Sequence, residues 1–232
     1  MTADVPVLMV HGFASSFERN WREPGWVDVL QEEGHQVIGV DVLGHGEAPK
    51  PVEPEAYRDL HLGVERALPP DGQVDAVGFS MGGQLLLRVA SRSPERFRRI
   101  AIGGVGDNIF SGSVSEQAAL AIEEGRAVGP DDEGVEGHES LGAFARFAQA
   151  PGNDPAALAA CMRRPQDRLS EEDLAQVRVP VLVVLGDRDF AGPADRLVTA
   201  LPAARLVSLP GADHFGTPKD FRFIEAVVKF LA

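Results

Sequence analysis

The stretch Val74-Asp75-Ala76-Val77-Gly78-Phe79-Ser80-Met81-Gly82-Gly83 decides the reading of this chain. Apart from Asp75, the residues before Gly78 are apolar and β-prone, which predicts a buried strand. Gln84–Ala90 is helix-compatible, and the helix is expected to end near Ser93-Pro94, because proline disfavours helical backbone in the residue before it. Gly78, Ser80 and Gly82 form the pattern G-x-S-x-G. Small neighbours allow a tight turn there, and Gly82 lets a helix start close to the strand. A serine on such a turn presents its hydroxyl in front of a helix N-terminus, the geometry of a nucleophile elbow.

Serine is a weak nucleophile unless a base takes its proton, and that base is usually a histidine oriented by a carboxylate. Val179–Leu185 is a strongly apolar strand candidate that runs into Gly186-Asp187-Arg188-Asp189. Ala204–Leu209 alternates like a strand and runs into Pro210-Gly211-Ala212-Asp213-His214-Phe215. Both carboxylates and the histidine therefore follow strand C-terminal ends, where ligand chemistry concentrates in open parallel sheets. Asp187 could instead bind backbone amides within its turn. Asp213, in Gly-Ala-Asp, reads as a turn former.

With these residues in place, the chain resembles the α/β-hydrolase superfamily. The stretches that carry the resemblance are Val10-His11-Gly12-Phe13, Asp41-Val42-Leu43-Gly44-His45-Gly46, the Ser80 turn, and the Gly186–Asp189 and Gly211–His214 loops. The resemblance implies Ser80 as nucleophile, His214 as general base and then acid, and Asp189, rather than Asp187, as the carboxylate that orients His214. It implies an oxyanion hole from the backbone N–H groups of Phe13 and Met81. Met81 opens a helix, so its N–H lacks an intrahelical partner. His11 is expected to hold the oxyanion loop by a hydrogen bond. Glu47 stands where the family often has a small hydroxyl residue.

Six strands are expected, near Val5–Val10, Gln36–Val42, Val74–Phe79, Arg99–Gly103, Val181–Leu185 and Ala204–Leu209. Helices are expected between them at Trp26–Glu33, Tyr57–Ala67, Gly82–Ser93 and Ala194–Ala200, and at the end over Lys219–Leu231, with Thr217-Pro218 as cap and first-turn proline. This alternation predicts an α/β fold in three layers: about six mainly parallel strands with helices on both faces. The family commonly begins with an antiparallel hairpin; here the first strand starts at residue 5, so a compact version is expected.

Residues 107–173 break the alternation with helical patterns at Val114–Val128, Leu141–Gln149 and Ala156–Met162. Ser170-Glu171-Glu172-Asp173 is a near capping box. The family places a helical cap at this point, so 107–173 is read as a small lid within a single domain spanning 1–232. Phe110, Leu141, Phe144, Phe147 and Met162 are its candidate pocket walls. The acidic, glycine-containing stretch Glu123–Glu139 reads as a solvated hinge, since it lacks an EF-hand pattern.

Composition bounds the partners. The net charge is −13 over 232 residues, with 44% hydrophobic and 25% charged residues. This suits a soluble globular protein and argues against nucleic acid or anionic membranes as partners. No apolar run is long enough to insert in a membrane. One cysteine, Cys161, excludes an intrachain disulfide, and with no secretory signal a cytoplasmic location is expected. No histidine pair has metal-ligand spacing, so neither metal nor cofactor is expected. The expected activity is hydrolysis of a small or medium carboxylic ester, a small-molecule substrate, through an acyl-serine intermediate. A thioester would use the same machinery. Carbon–carbon bond hydrolysis is the alternative, with Asn108, Arg163 and Arg164 as candidate polar groups. A ligand receptor with little turnover is the alternative of another class.

Overall fold

The structure, a computed structural model, describes residues 5–111, 115–125, 138–165 and 168–232. Six strands form one wholly parallel sheet: β1 (Val7–Val10), β2 (Val37–Val40), β3 (Val74–Phe79), β4 (Phe97–Gly103), β5 (Val181–Gly186) and β6 (Ala204–Leu209), in the order β2-β1-β3-β4-β5-β6. Around it lie α1 (Trp26–Glu32), α2 (His61–Ala67), α3 (Met81–Arg92), α8 (Asp195–Ala200) and α9 (Phe221–Leu231). Between β4 and β5 come α4 (Ser115–Glu124), α5 (His138–Ala148), α6 (Pro155–Arg163) and the short α7 (Glu171–Leu174).

Strand residues alternate between two cores, as a sheet covered on both faces requires. Leu8, Val10, Ala76, Ile100, Ile102, Val181 and Val183 pack with Val64 of α2, Leu86 and Leu87 of α3 and Leu197 of α8. On the other face, Val7, Met9, Val77, Ala101, Leu182 and Val184 pack with Trp26 and Leu30 of α1 and Phe223 and Val227 of α9. Trp26 meets Trp21 and Phe223 edge-on at 5.1 and 4.7 Å, and its indole N–H donates to the Pro218 carbonyl at 2.8 Å.

Asp75 is the polar exception in β3. It is buried, and both of its oxygens accept hydrogen bonds from Arg98 on the neighbouring strand. A buried carboxylate needs such a partner, and the bidentate fork supplies it.

Two helix starts differ from expectation. The helix expected over Tyr57–Ala67 divides into a 3-10 turn at Pro54–Tyr57 and α2. Tyr57 is fully buried there, with its hydroxyl donating to the Pro51 carbonyl at 2.5 Å. The last helix is capped by Asp220, which accepts from the Arg222 N–H at 2.9 Å. Thr217 lies in a separate 3-10 turn over Thr217–Lys219, upstream of the helix, and its hydroxyl donates to the Asp213 carbonyl at 2.6 Å. The capping box at Ser170 forms with Asp173 as its reciprocal residue. Most of the acidic stretch Glu123–Glu139, namely 126–137, lies outside the described residues, as do the last residues of the helix expected over Val114–Val128.

The order β2-β1-β3 makes the gap between β1 and β3 a topological switch point, where ligands bind in sheets of this kind. The loop after β1 and the turn after β3 meet there. A Cβ at Gly82 would lie 2.2 Å from the Val10 carbonyl oxygen and 2.5 Å from that of His11. Gly82→Ala therefore has no relaxed position, and a loss near the upper end of the roughly 1–3 kcal/mol typical of overpacking is expected. Gly63, inside α2 with nothing within 4 Å of an added Cβ, serves as control: Gly63→Ala should raise stability by about 0.5–1 kcal/mol. Urea unfolding of both variants checks this, and an undisturbed Gly82→Ala would contradict the close approach.

Candidate active site

Ser80 sits between the buried strand β3 and α3 with φ +50° and ψ −117°. For a residue with a Cβ this is a strained backbone, costing about 1–3 kcal/mol. Its surroundings hold it there: the Ser80 N–H donates to the Gly103 carbonyl at 2.8 Å, and its own carbonyl accepts from the Gln84 N–H at 3.1 Å. Met81 follows as the first residue of α3, so its N–H has no intrahelical acceptor.

The loops after β5 and β6 are fastened to each other. The Asp187 N–H donates to the Leu209 carbonyl and the Arg188 N–H to the Ala212 carbonyl, at 3.2 and 3.1 Å. A Cβ at Gly186 would fall 2.1 Å from the Ala212 oxygen, so only glycine permits this approach. The result brings three distant residues into one chain. His214 Nε2 lies 3.0 Å from Ser80 Oγ, and its Nδ1 lies 2.8 Å from Asp189 Oδ1. Asp189 and His214 are buried. Asp189 Oδ1 also accepts from the Ala191 N–H at 2.9 Å.

The neighbouring carboxylates are committed elsewhere. Asp187 accepts from the Gly211 N–H at 2.7 Å, and Asp213 from the Gly216 N–H at 2.7 Å. Asp213 closes a turn, as Asp side chains commonly do, while Asp187 ties the loop after β5 to the loop after β6.

Two buried histidines lie behind the loop that carries Phe13. His11 pairs through Nδ1 with the Gly12 carbonyl at 2.7 Å, and its Nε2 accepts from the Val42 N–H at 3.0 Å. A carbonyl only accepts and an N–H only donates, so this ring is neutral with its proton on Nδ1. Burial, the largest influence on it, likewise lowers its pKa. His45 packs 5.2 Å from the His11 ring and edge-on to Phe13 at 5.5 Å. Its Nδ1 meets the Leu43 carbonyl at 3.0 Å. Burial, the largest influence on it, pushes its pKa down to about 3. Asp41 shapes the same loop by accepting from the Phe17 and Glu47 N–H groups, each at 2.8 Å. Glu47 thus enters the loop through its backbone.

A cleft of about 360 Å³ opens at Ser80. Phe13, Met81, Leu85, Ile109, Phe144, Met162 and Phe190 form its apolar wall. Phe144 touches the Phe13, Phe190 and Phe215 rings at 5.8–6.0 Å, and Phe190 lies 4.2 Å from the His214 ring. Of the candidate pocket walls, Phe144 and Met162 are on the cleft. Phe110 is not: it lies under the Arg196 guanidinium, 3.9 Å from its ring. Phe147 is not either. It is 42% exposed and stacks on Phe215 at 5.1 Å. The side chain of Leu141 lies outside the described residues. Asn108 and Arg164 line the cleft, whereas Arg163 binds Glu116 and Glu123 and ties α6 to α4. Cys161 is buried, with its thiol pushed up to about 11, which removes it as a nucleophile. Among the described residues, no group of three or more His, Cys, Asp or Glu is placed to hold a metal ion. No described helix is long and apolar enough to cross a membrane.

Sequence reasoning overlooked Phe190, Leu85 and the arginines of α3. Helical spacing from Ser80 was the available signal for the arginines, since positions eight and twelve residues on fall near one helix face; Phe190 lies between β5 and α8, where no such spacing applies.

The chain belongs to the alpha/beta hydrolase family, whose sequence profile matches residues 7–225. A 2-hydroxymuconate semialdehyde hydrolase of Pseudomonas sp. (strain CF600) is 36% identical over 110 residues, 44% of this chain and 37% of that protein. The dihydrolipoyllysine-residue acetyltransferase component of the acetoin cleaving system of Pseudomonas putida is 28% identical over 90% of this chain and 58% of its own length. The chain thus spans less than two thirds of both relatives. A pimeloyl-[acyl-carrier protein] methyl ester esterase of Nitrosomonas europaea is 26% identical over 90% of this chain and 88% of that protein. The fold is that of a thermophilic esterase from Thermogutta terrifontis, with TM-score 0.66 and 24% identity over 98% of this chain and 89% of the other. It is shared too by 2-hydroxy-6-oxo-6-phenylhexa-2,4-dienoate hydrolase from Rhodococcus sp. strain RHA1, with TM-score 0.70 and 21% identity over 98% and 91%.

The His45 environment has a pH consequence. Its folded pKa lies below the ordinary 6.5, so its neutral burial costs nothing above that pH. Stability is then lost as pH falls from 6.5 toward about 3, because the unfolded chain takes up a proton that the folded one refuses. Between pH 7.5 and 5.5, wild type should lose about 1.4 kcal/mol more than His45→Phe. Urea midpoints at the two pH values check this; equal losses would contradict it.

Proposed function

We propose that this chain is a serine hydrolase that cleaves small or medium carboxylic esters through an acyl-serine intermediate. The observation that carries the proposal is the continuous hydrogen-bonded chain from Ser80 Oγ through His214 to Asp189, at 3.0 and 2.8 Å. His214 Nε2 takes the Ser80 proton as Oγ attacks the ester carbonyl, and Asp189 stabilises the imidazolium that forms. The developing oxyanion is held by the Phe13 and Met81 N–H groups, with the α3 dipole behind Met81. His214 then protonates the leaving alkoxide. Water, deprotonated by the same ring, releases the acid and regenerates Ser80.

In this reading residues 107–173 act as a lid on a single domain of residues 1–232. Phe144 and Met162 supply its wall against the acyl or alcohol chain. The ester reading suits an opening at Ser80 lined largely by aromatic and aliphatic side chains. A second reading, carbon–carbon bond hydrolysis, is favoured by Asn108 and Arg164 lining the cleft and by the likeness to the 2-hydroxymuconate semialdehyde hydrolase. Both use the same three residues.

With a p-nitrophenyl ester, wild type should release a burst of one product per enzyme before steady turnover, and Ser80→Ala should show none. Asp189→Asn should lower kcat by roughly 10⁴-fold, since the amide orients the wrong imidazole tautomer. Asp187→Asn keeps an acceptor for the Gly211 N–H and should change kcat little. If Asp187→Asn is the crippling change, the assignment of the acid is wrong.

A further inference from the structure

The loop that carries Phe13 is anchored on both sides of that residue. Before it, the Gly12 N–H donates to Asn20 Oδ1 at 3.0 Å, and the Gly12 carbonyl pairs with His11. Further on, the Phe17 N–H donates to Asp41. Between these anchors, the Ala14 carbonyl accepts from Asn153 Nδ2 at 3.0 Å. Asn153 lies 139 residues along the chain from Ala14, in the segment read above as a lid.

Ala14 is the strained point of the loop. Its φ is +55°, a left-handed conformation that is unfavourable for a residue with a Cβ. Its methyl group is buried among Ala119 and Ile122 of α4, Ala148 of α5, and Leu158 and Ala159 of α6. Packing from these helices and the Asn153 hydrogen bond therefore act on the same residue, the one that follows Phe13.

Asn153 is built to hold its partner. It stands in the turn between α5 and α6, where its own N–H donates to the Ala150 carbonyl at 3.1 Å. The next residue, Asp154, caps α6, and Pro155 opens that helix. Asn153 Nδ2 also donates to the carbonyl of Phe147, in the last turn of α5, at 2.8 Å. An amide nitrogen has two protons, and the two carbonyls take them. The reversed amide would set its oxygen against both carbonyl oxygens, so the acceptors fix its orientation. The Arg19 guanidinium donates to the Pro151 carbonyl, a second tie between this turn and the chain that follows Phe13.

We propose that Asn153 is a positioning residue of the active site. By fixing the Ala14 carbonyl to the α5–α6 turn, it holds the neighbouring Phe13 N–H in the direction that the developing oxyanion requires. This rests on the acyl-serine reading, in which that N–H is an oxyanion donor. Removing one such donor lowers kcat by about 10²–10³-fold, so a donor left free to swing should cost part of that. The lid segment then contributes to the rate as well as to the wall of the cleft.

The test separates positioning from a merely structural role. Asn153→Ala should lower kcat for p-nitrophenyl acetate about tenfold or more while KM changes by less than about twofold. Phenylboronic acid bonds Ser80 Oγ to boron, passes the serine proton to His214 and sets a boron-bound oxygen where the oxyanion forms. Its affinity should fall by about the same factor as kcat/KM. Adding Ala14→Gly to Asn153→Ala should recover most of the lost rate, because glycine holds a positive φ without strain. Deuterium exchange of the peptide covering residues 11–17 should quicken several-fold in Asn153→Ala. Should that variant fail to fold, Asn153→Asp, equal in size, removes the same two donors and should give the same pattern. An unchanged kcat, a loss carried by KM, a loss that Ala14→Gly leaves in place, or unchanged exchange across residues 11–17 overturns the proposal. A wild type that neither releases a burst nor binds the boronic acid, with exchange that still quickens in the variant, would count against the acyl-serine reading alone.

Discussion

The first turn of α3 is pressed against the end of β1, and the site depends on that contact. With no Cβ at Gly82, the helix start comes within contact distance of the Val10 and His11 carbonyls. Two residues before Gly82, Ser80 holds φ +50°. The strain is held by β3, which is buried at every position, and by the Ser80–Gly103 hydrogen bond. A rigid sheet thus carries a serine that a looser scaffold would let relax.

The other half of the site rests on a similar economy of space. Gly186 lets the turn after β5 lie against Ala212, and two backbone hydrogen bonds join the loops. Asp187 ties the two loops together and Asp213 closes a turn, which leaves Asp189 to face His214. Phe79, Phe190 and Phe215 surround the imidazole, with ring centroids 4.2–5.4 Å away. Their apolar faces limit water around the His214–Asp189 pair, and a low local dielectric strengthens that hydrogen bond.

Much of this was legible in the sequence. Runs such as Val181–Leu185 and Val74–Phe79 carry their strand signal locally, and the G-x-S-x-G turn fixes which strand end bears the serine. The sheet's parallel order follows from strand–helix alternation. Features decided by tertiary packing were less legible. Thr217 reads as a helix cap, yet the chain makes a 3-10 turn over Thr217–Lys219 and Asp220 caps the helix. Phe110 and Phe147 read as pocket walls as well as Phe144 does, because a lid's pattern does not say which face meets the cleft. The arginines of α3 read singly as a solvated helix face. Only folding gathers them with Arg164 and Arg168 around one opening.

The central claim is that this scaffold activates Ser80. Intact-protein mass after treatment with a fluorophosphonate tests it without knowledge of the substrate, comparing wild type with Ser80→Ala. The account predicts one phosphonyl adduct on wild type and none on the variant. A folded wild type that takes up no adduct, or an adduct that persists in Ser80→Ala, would contradict it.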